Sequence, residues 1–359
     1  MSKPSHSPIS DLQRISVAMA TYNGSRFIQE QLDSLERQTL VPFELVVTDD
    51  GSTDDTLEIV RRFGERVTFP VRIFPNPERL GYADNFFRSA SLCEGPIVAY
   101  CDQDDRWLEN KLEVCSRYFQ DPEVMLTCHT AELWDGEHSI GRFFPEIAKT
   151  EIHPPVSLDP LLLIPGFTII FRRSLLQLLD NKARLRHILN LGSTFEPMAH
   201  DNWTFVLGST VGKVVTIAES LTLYRQHNAN AKGAPEERSA GADLMLSLTN
   251  TGYSEMAGLE AEYAEMFSRL AAKVTVNQKP YANRAAQNFA MRSRFHYLRA
   301  AIFEGRSNIL KRGASFIQLL GLGAYRNSTD KTRLGSRAAL KDLVFGVSGF
   351  HKWKKRSAA

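Results

Sequence analysis

Four cysteines among 359 residues, none in a Cys-x-x-Cys pair and none with histidine at zinc-finger spacing, exclude a disulfide framework and a structural zinc. Cys93, Cys101, Cys115 and Cys128 are expected to be free, mostly buried thiols of a reducing compartment. No stretch reaches the roughly 18 apolar residues that a membrane-spanning helix needs. Met1 to Gln13 is rich in Ser and Pro and has no apolar run, so no secretory signal is read there and the expected location is the cytoplasm. Internal repeats and long linkers are missing as well. Net charge is nearly absent, +2 from 43 basic against 41 acidic side chains, and by itself it names no partner.

A hydrophobic content of 43% and a charged content of 23% suit a globular protein with a real core. The length allows one large domain or a catalytic domain with an annex. Charge is unevenly spread. From Arg284 onward 16 Lys or Arg face only Glu304, Asp330 and Asp342, so the rest of the chain is net acidic. A basic tail on an acidic body suggests a polyanionic partner, lipid headgroups or nucleic acid. Leu310–Tyr325 and Ala338–Trp353 mix apolar and basic residues, and Lys352-Trp353-Lys354-Lys355-Arg356 follows. Such amphipathic helices fit an anionic membrane surface, at the inner face of the cell membrane. They fit equally a helix packed on the body with a solvated basic face.

Short apolar runs alternate with helical patterns through the first third. Strands are expected at Ile15–Ala20, Glu44–Thr48, Val71–Phe74, Pro96–Tyr100 and Val124–Cys128, with Pro70 forcing the third to an edge or to a late start. Helices are expected at Phe27–Gln38, Asp54–Phe63 (capped by Ser52 and Thr53), Ala83–Leu92 and Leu108–Phe119. This alternation predicts an α/β fold, a mostly parallel sheet with helices on both faces. Further on, strands are expected at Thr168–Phe171, Val214–Ala218 and Leu221–Tyr224, and a helix begins at Asp201–Leu207. From Asp243 the chain reads as helical, with long stretches at Glu255–Ala272 and Arg284–Phe303. Gly233-Ala234-Pro235 marks a boundary between residues 14–233 and a helical, basic region 234–359, after a loose start at 1–13.

The polar clusters fall at strand carboxyl ends, where open α/β sheets bind ligands. Asp102-Gln103-Asp104-Asp105 puts three carboxylates within four residues, which repel unless a cation offsets them. A hard divalent ion binds through one or two carboxylates plus substrate phosphates. A solvated acidic turn at a helix start would look the same. Asp49-Asp50-Gly51-Ser52-Thr53-Asp54 offers acceptors for a base N–H or ribose, or only turn and capping chemistry.

Together, Ala20-Thr21-Tyr22-Asn23-Gly24, Val46 to Asp54 and Tyr100 to Asp105, each closing a strand in this order, resemble the family 2 inverting glycosyltransferases, which have the Rossmann-like GT-A fold. Asp-Gln-Asp-Asp-x-Trp, with Arg79-Leu80-Gly81-Tyr82 and Asn85-Phe86 before it, looks most like the bacterial rhamnosyltransferase-like branch. The resemblance covers Arg14 to Gly233. It implies that Tyr22 stacks on a pyrimidine and Asp50 binds its N–H edge, with Thr21, Asn23, Asn85, Asp102 and Gln103 also at the nucleotide. It assigns Asp104, Asp105 and His227 to a divalent metal, Mn²⁺ or Mg²⁺, and Asp201 in His200-Asp201-Asn202-Trp203 to the catalytic base. Pro165-Gly166-Phe167-Thr168 matches a turn beside the sugar pocket, with Phe167 where relatives often carry a small residue. Gly166, Phe167, Thr168, His200, Trp203 and Arg225 would line the donor or acceptor pocket.

Tyr224-Arg225-Gln226-His227, with Asn228 and Asn230, matches the element closing the catalytic domain. The QxxRW motif of processive synthases is missing, so single-sugar addition is expected. The implied reaction moves a sugar from a nucleoside-diphosphate sugar, dTDP-rhamnose or a UDP-sugar, to a hydroxyl of a glycan or lipid-linked glycan in cell-surface polysaccharide synthesis. A lipid-linked acceptor favours a membrane over nucleic acid as partner of the basic tail. A nucleotidyltransferase would share the sheet, but its Gly-rich phosphate loop is missing at Thr21-Tyr22-Asn23-Gly24. A non-catalytic membrane- or carbohydrate-binding protein would not need Asp102, Asp104 and Asp201.

Overall fold

The computed structural model describes residues 14–143, 147–187, 196–227, 252–303, 308–326 and 334–348. The first thirteen residues, the expected boundary at Gly233-Ala234-Pro235, Asn228, Asn230 and the basic run at Lys352 lie outside them. Two compact units emerge, one formed by Met1–Ala183 with Ala199–Glu236, the other by Arg184–Met198 with Glu237–Ala359.

The first unit is a mixed α/β fold of GT-A type around a ten-stranded sheet. Strands β1 (Ile15–Thr21), β2 (Glu44–Asp49), β3 (Val71–Pro75) and β4 (Ile97–Cys101) run parallel in the order β3-β2-β1-β4. Their crossovers are helices α1 (Ile28–Glu36), α2 (Thr56–Arg66) and α3 (Tyr82–Leu92). β3, which follows Pro70, takes the edge position. Because side chains alternate across a strand, Ile15, Val17, Met19, Leu45 and Val47 pack with Ile28, Leu32 and Leu35 of α1 and Val60 and Phe63 of α2. The intervening residues meet α3. Thr48 donates to the Asn85 carbonyl, Ser89 donates to the Val46 carbonyl, and Phe86 meets Tyr100 edge-on. Both faces are thus covered, and the strands read as continuous apolar runs.

Helix α4 (Lys111–Ser116) passes into a 3₁₀ turn, Arg117–Gln120, and is shorter than its periodicity predicts. β6 (Val124–Trp134) runs six residues beyond the expected end, its polar second half paired with β10 (Lys213–Arg225). β10 is one strand where two are expected. Register shifts around Ser220 interrupt its alternation without ending its pairing. The short β9 (Ile170–Arg172) runs antiparallel between β4 and β6. β5 (Arg106–Trp107), β7 (Ser139–Arg142) and β8 (Glu151–His153) pair antiparallel with β10, β6 and β10, and α5 spans His200–Val211. All four cysteines are free and buried.

The second unit is helical. α6 (Gly252–Ala271) and α7 (Lys279–Phe303) lie antiparallel, since Tyr263 stacks on Phe289 while Tyr253 meets Phe303. Buried Glu260 of α6 accepts from Arg292 Nε at 2.9 Å and contacts His296 Nδ1 at 2.5 Å. A carboxylate this deep is tolerable only with such partners. α8 (Ile309–Gly321), α9 (Gly335–Lys341) and a π-helical turn (Asp342–Val347) complete the unit. Buried Asp342 accepts from Arg299 and from the Tyr325 hydroxyl, the latter at 2.7 Å. Among the described residues no helix is long and apolar enough to cross a membrane.

Candidate functional site

Register aligns Thr21 with Asp49 and Met19 with Cys101, so the loops after β1, β2 and β4 stand side by side on one rim. They open a cleft of about 720 Å³, lined among others by Thr21, Tyr22, Asp50, Asn85, Asp102, Gln103 and Asp104. Pro165, Gly166, Phe167, His200, Asp201 and Tyr224 complete the opposite wall.

The turn after β2 is tied to its own chain. Asp49 accepts from the Thr21 and Ser52 hydroxyls and the Gly51 and Ser52 N–H groups. Asp50 accepts from the Leu80 and Gly81 N–H groups at 3.1 and 2.9 Å and from the Asn76 amide at 2.5 Å. Its carboxylate therefore fixes the stretch before α3. Ser52 and Thr53 were expected from sequence to cap α2, and they do not. Ser52 accepts the Asn23 N–H, Thr53 N–H donates to Asn23 Oδ1, and the helix begins at Thr56 beside Asp54. Asn23, at φ +47°, is a turn residue and does not reach the cleft wall. Asn85 is also internally engaged, donating to the Thr48 and Thr21 carbonyls and accepting from Asn76.

Gln103 holds the Tyr22 backbone from both sides, accepting its N–H and donating to its carbonyl, each at 3.1 Å. Gly24 is the residue this requires, because a Cβ there would stand 2.2 Å from Gln103 Oε1. The Tyr22 ring is partly exposed, with the Arg79 guanidinium 4.0 Å above it.

The turn after β4 is different. Asp102 and Asp104 face the cleft with Asp201 from α5. Burial pushes the Asp102 carboxyl up to about 8, Asp104 and Asp201 add to the rise, and Lys111 opposes it. Asp104 Oδ2 lies 3.0 Å from His227 Nε2, and the His227 ring packs on Phe27 at 4.5 Å. Asp105 turns inward, where one oxygen accepts the Arg225 N–H. Burial, followed by Asp104 and Asp102, raises it well above the usual carboxylate range. That placement removes Asp105 from a metal on the cleft side.

Arg225 is a bracket and does not line the cleft. Its Nε donates to the Asp104 carbonyl, it pairs with Glu30 at 2.8 Å, and it lies over the Trp134 and Phe27 rings. Among the described residues no group of three His, Cys, Asp or Glu forms a metal cage. Asp104 and His227 instead supply two donors, a set that fits an ion taking its other ligands from water and phosphate.

On the opposite wall, Asp201 occupies the first turn of α5 and accepts the Asn202 N–H at 2.7 Å. His200 stacks on Phe86 at 4.1 Å, and Gly166 makes room, since a Cβ there would stand 2.6 Å from His200 Nε2. Phe167 stacks on Tyr224, and its carbonyl accepts from buried Lys111 at 2.6 Å. Thr168 closes the turn by donating to the Pro165 carbonyl, and buried Trp203 donates to Asn181, so neither lines the cleft. Arg79, Tyr82, Phe86 and Tyr224 do line it without having been singled out as site residues. Their signal was position: Arg79 lies between β3 and α3, and Tyr82 and Phe86 in the first turns of α3, beyond another strand end on the same rim.

Residues 16–179 match the model of Glycosyl transferase family 2. An uncharacterized glycosyltransferase of Nostoc sp. is 27% identical over 66% of this chain and 73% of its own. A dTDP-rhamnosyl transferase of Shigella flexneri is 37% identical over 26% of this chain and 34% of its own. A hyaluronan synthase of Pasteurella multocida is 30% identical over 34% of this chain and 13% of its own. The chain thus spans only part of each relative. With the strand order and rim described above, the match identifies the sheet-bearing unit as a family 2 glycosyltransferase of GT-A-like fold.

Proposed function

We propose that the chain transfers a single sugar from a nucleoside-diphosphate sugar to a hydroxyl of a glycan or lipid-linked glycan, with inversion. The observation that carries this reading is the convergence of Asp102, Asp104 and Asp201, from separate parts of the chain, on one cleft of a family 2 domain. Tyr22 presents its ring as a platform for a nucleobase. Arg79 is the permanently cationic side chain among the described cleft residues and lies where it can meet the diphosphate. Asp104 with His227 is the place for Mn²⁺ or Mg²⁺, which when bound would offset charge on the leaving diphosphate.

Asp201 takes the proton of the acceptor hydroxyl as that oxygen attacks the anomeric carbon, and the bond to the diphosphate breaks on the opposite face. Phe167 and Tyr224 form an apolar wall that keeps water from competing as acceptor. A donor carrying rhamnose on dTDP is the finer reading, supported by the partial likeness to the Shigella flexneri relative.

The test is calorimetric titration with UDP and dTDP, each with Mn²⁺ and with EDTA, followed by a product assay with the matching sugars. Metal-dependent binding and release of the nucleoside diphosphate are expected. A folded protein that binds neither nucleotide would sink the proposal.

A further inference from the structure

We propose that the helical unit carries a docking face for an anionic lipid bilayer, an inference beyond the transfer reading and independent of it. α8 buries Arg312 and Leu319 and leaves Ile309, Leu310, Ile317 and Leu320 in solvent, Leu310 with 79% of its surface exposed. These four recur at helical spacing and share one stripe. The π-helical turn repeats the pattern. Asp342 and Gly346 point inward while Leu343, Val344 and Phe345 point out, and Leu340 of α9 is exposed just before them. Gly346 is what lets this turn lie so close, since a Cβ there would stand 2.3 Å from Ile302 Cγ2. α8 and the turn pack against each other and against α7, so the outward apolar side chains belong to neighbouring elements of one unit.

Charge decides the occupant. The described residues between 308 and 348 expose Lys311, Arg326 and Arg337, with Lys341 half-buried and Arg312 buried, and their one acid, Asp342, is buried against Arg299 and Tyr325. A second copy of this face would bring like charges together. Nucleic acid would satisfy the cations but leave Leu310 and Ile317 in water. An anionic bilayer satisfies both, through acyl chains for the apolar stripe and headgroups for the basic flanks.

The full chain is to be sedimented with vesicles of phosphatidylcholine alone and of phosphatidylcholine mixed with phosphatidylglycerol. Binding to the mixed vesicles alone is expected, weakening as salt is raised. Leu310→Glu with Ile317→Glu should lower it at least about tenfold, because two charges enter the apolar layer. Lys311→Glu with Arg337→Glu should lower it by roughly fivefold or more per position, about 1 kcal/mol for each positive charge lost. All four positions are exposed, and thermal melting checks that each variant folds. Failure of the wild type to bind the mixed vesicles, equal binding to both kinds, or binding undiminished in both variants would overturn the proposal. So would concentration-dependent dimerisation lost in Leu310→Glu, or displacement from the mixed vesicles by duplex DNA.

Discussion

Two acidic turns close neighbouring strands of the same sheet, and in the sequence they look alike. After β2, Asp49 and Asp50 spend their oxygens on the N–H groups of residues 51, 52, 80 and 81, two hydroxyls and an amide. After β4, Asp102 and Asp104 face the cleft with Asp201, close enough to raise the Asp102 carboxyl. Buried Glu260 and Asp342 in the helical unit resemble the first case, each held by two partners. Carboxylates satisfied by their own chain build a scaffold. Those that repel one another in a cleft are the ones proposed above to take a cation or a proton.

The comparison breaks most visibly at Asp201. Asp201→Asn is expected to lower transfer about 1,000-fold while nucleotide affinity changes less than about threefold. Equal loss of both, by product assay and calorimetry, would return Asp201 to a structural role. Next come the turns themselves. Asp50→Ala leaves two N–H groups and an amide short of an acceptor and should cost about 3 kcal/mol in denaturant unfolding. Asp104→Ala should change stability by less than about 1 kcal/mol, since loss of its one partly buried contact to His227 is offset by relief of repulsion with Asp102 and Asp105, yet abolish the Mn²⁺ dependence of nucleotide binding. If both variants unfolded alike, the distinction between scaffold and site would fail.

The smallest effect concerns Lys111, the cation beneath the second turn, whose pKa burial lowers to about 8 from 10.5. Between those values the unfolded chain holds the proton more tightly, so this group's contribution to stability rises with pH across that window. Relative to Lys111→Met, the wild type should gain stability between about pH 8 and about pH 10.5. A pH-independent difference would mean that Lys111 keeps its proton in the fold.

Much of the sheet was legible because β1, β2 and β4 are buried on both faces, so their runs are continuous, and helices α1 to α3 carry clear apolar faces. β6, β8 and β10 were less so. Their alternation is broken by polar residues and bulges that only pairing with distant strands supports. The cleft was legible in part. Asp102, Asp104 and Asp201 were named from motif and order, and all three line it. Asn23, Asp105, Thr168, Trp203, Arg225 and His227 were named by the same logic and do not, His227 reaching the cleft only through Asp104, because a motif gives proximity along the chain and not the direction of a side chain.

Sequence alone determined the α/β alternation, the strand-end position of the acidic turns and the positive surplus after Arg284, because each is a matter of residue type and spacing. Tertiary structure decided which carboxylates are already satisfied. Gly24 and Gly166 admit Gln103 and His200, Arg225 brackets the Asp104 backbone, and Asp50 is claimed by a loop thirty residues away. Those hydrogen bonds join partners far apart in sequence, so no local pattern could reveal them.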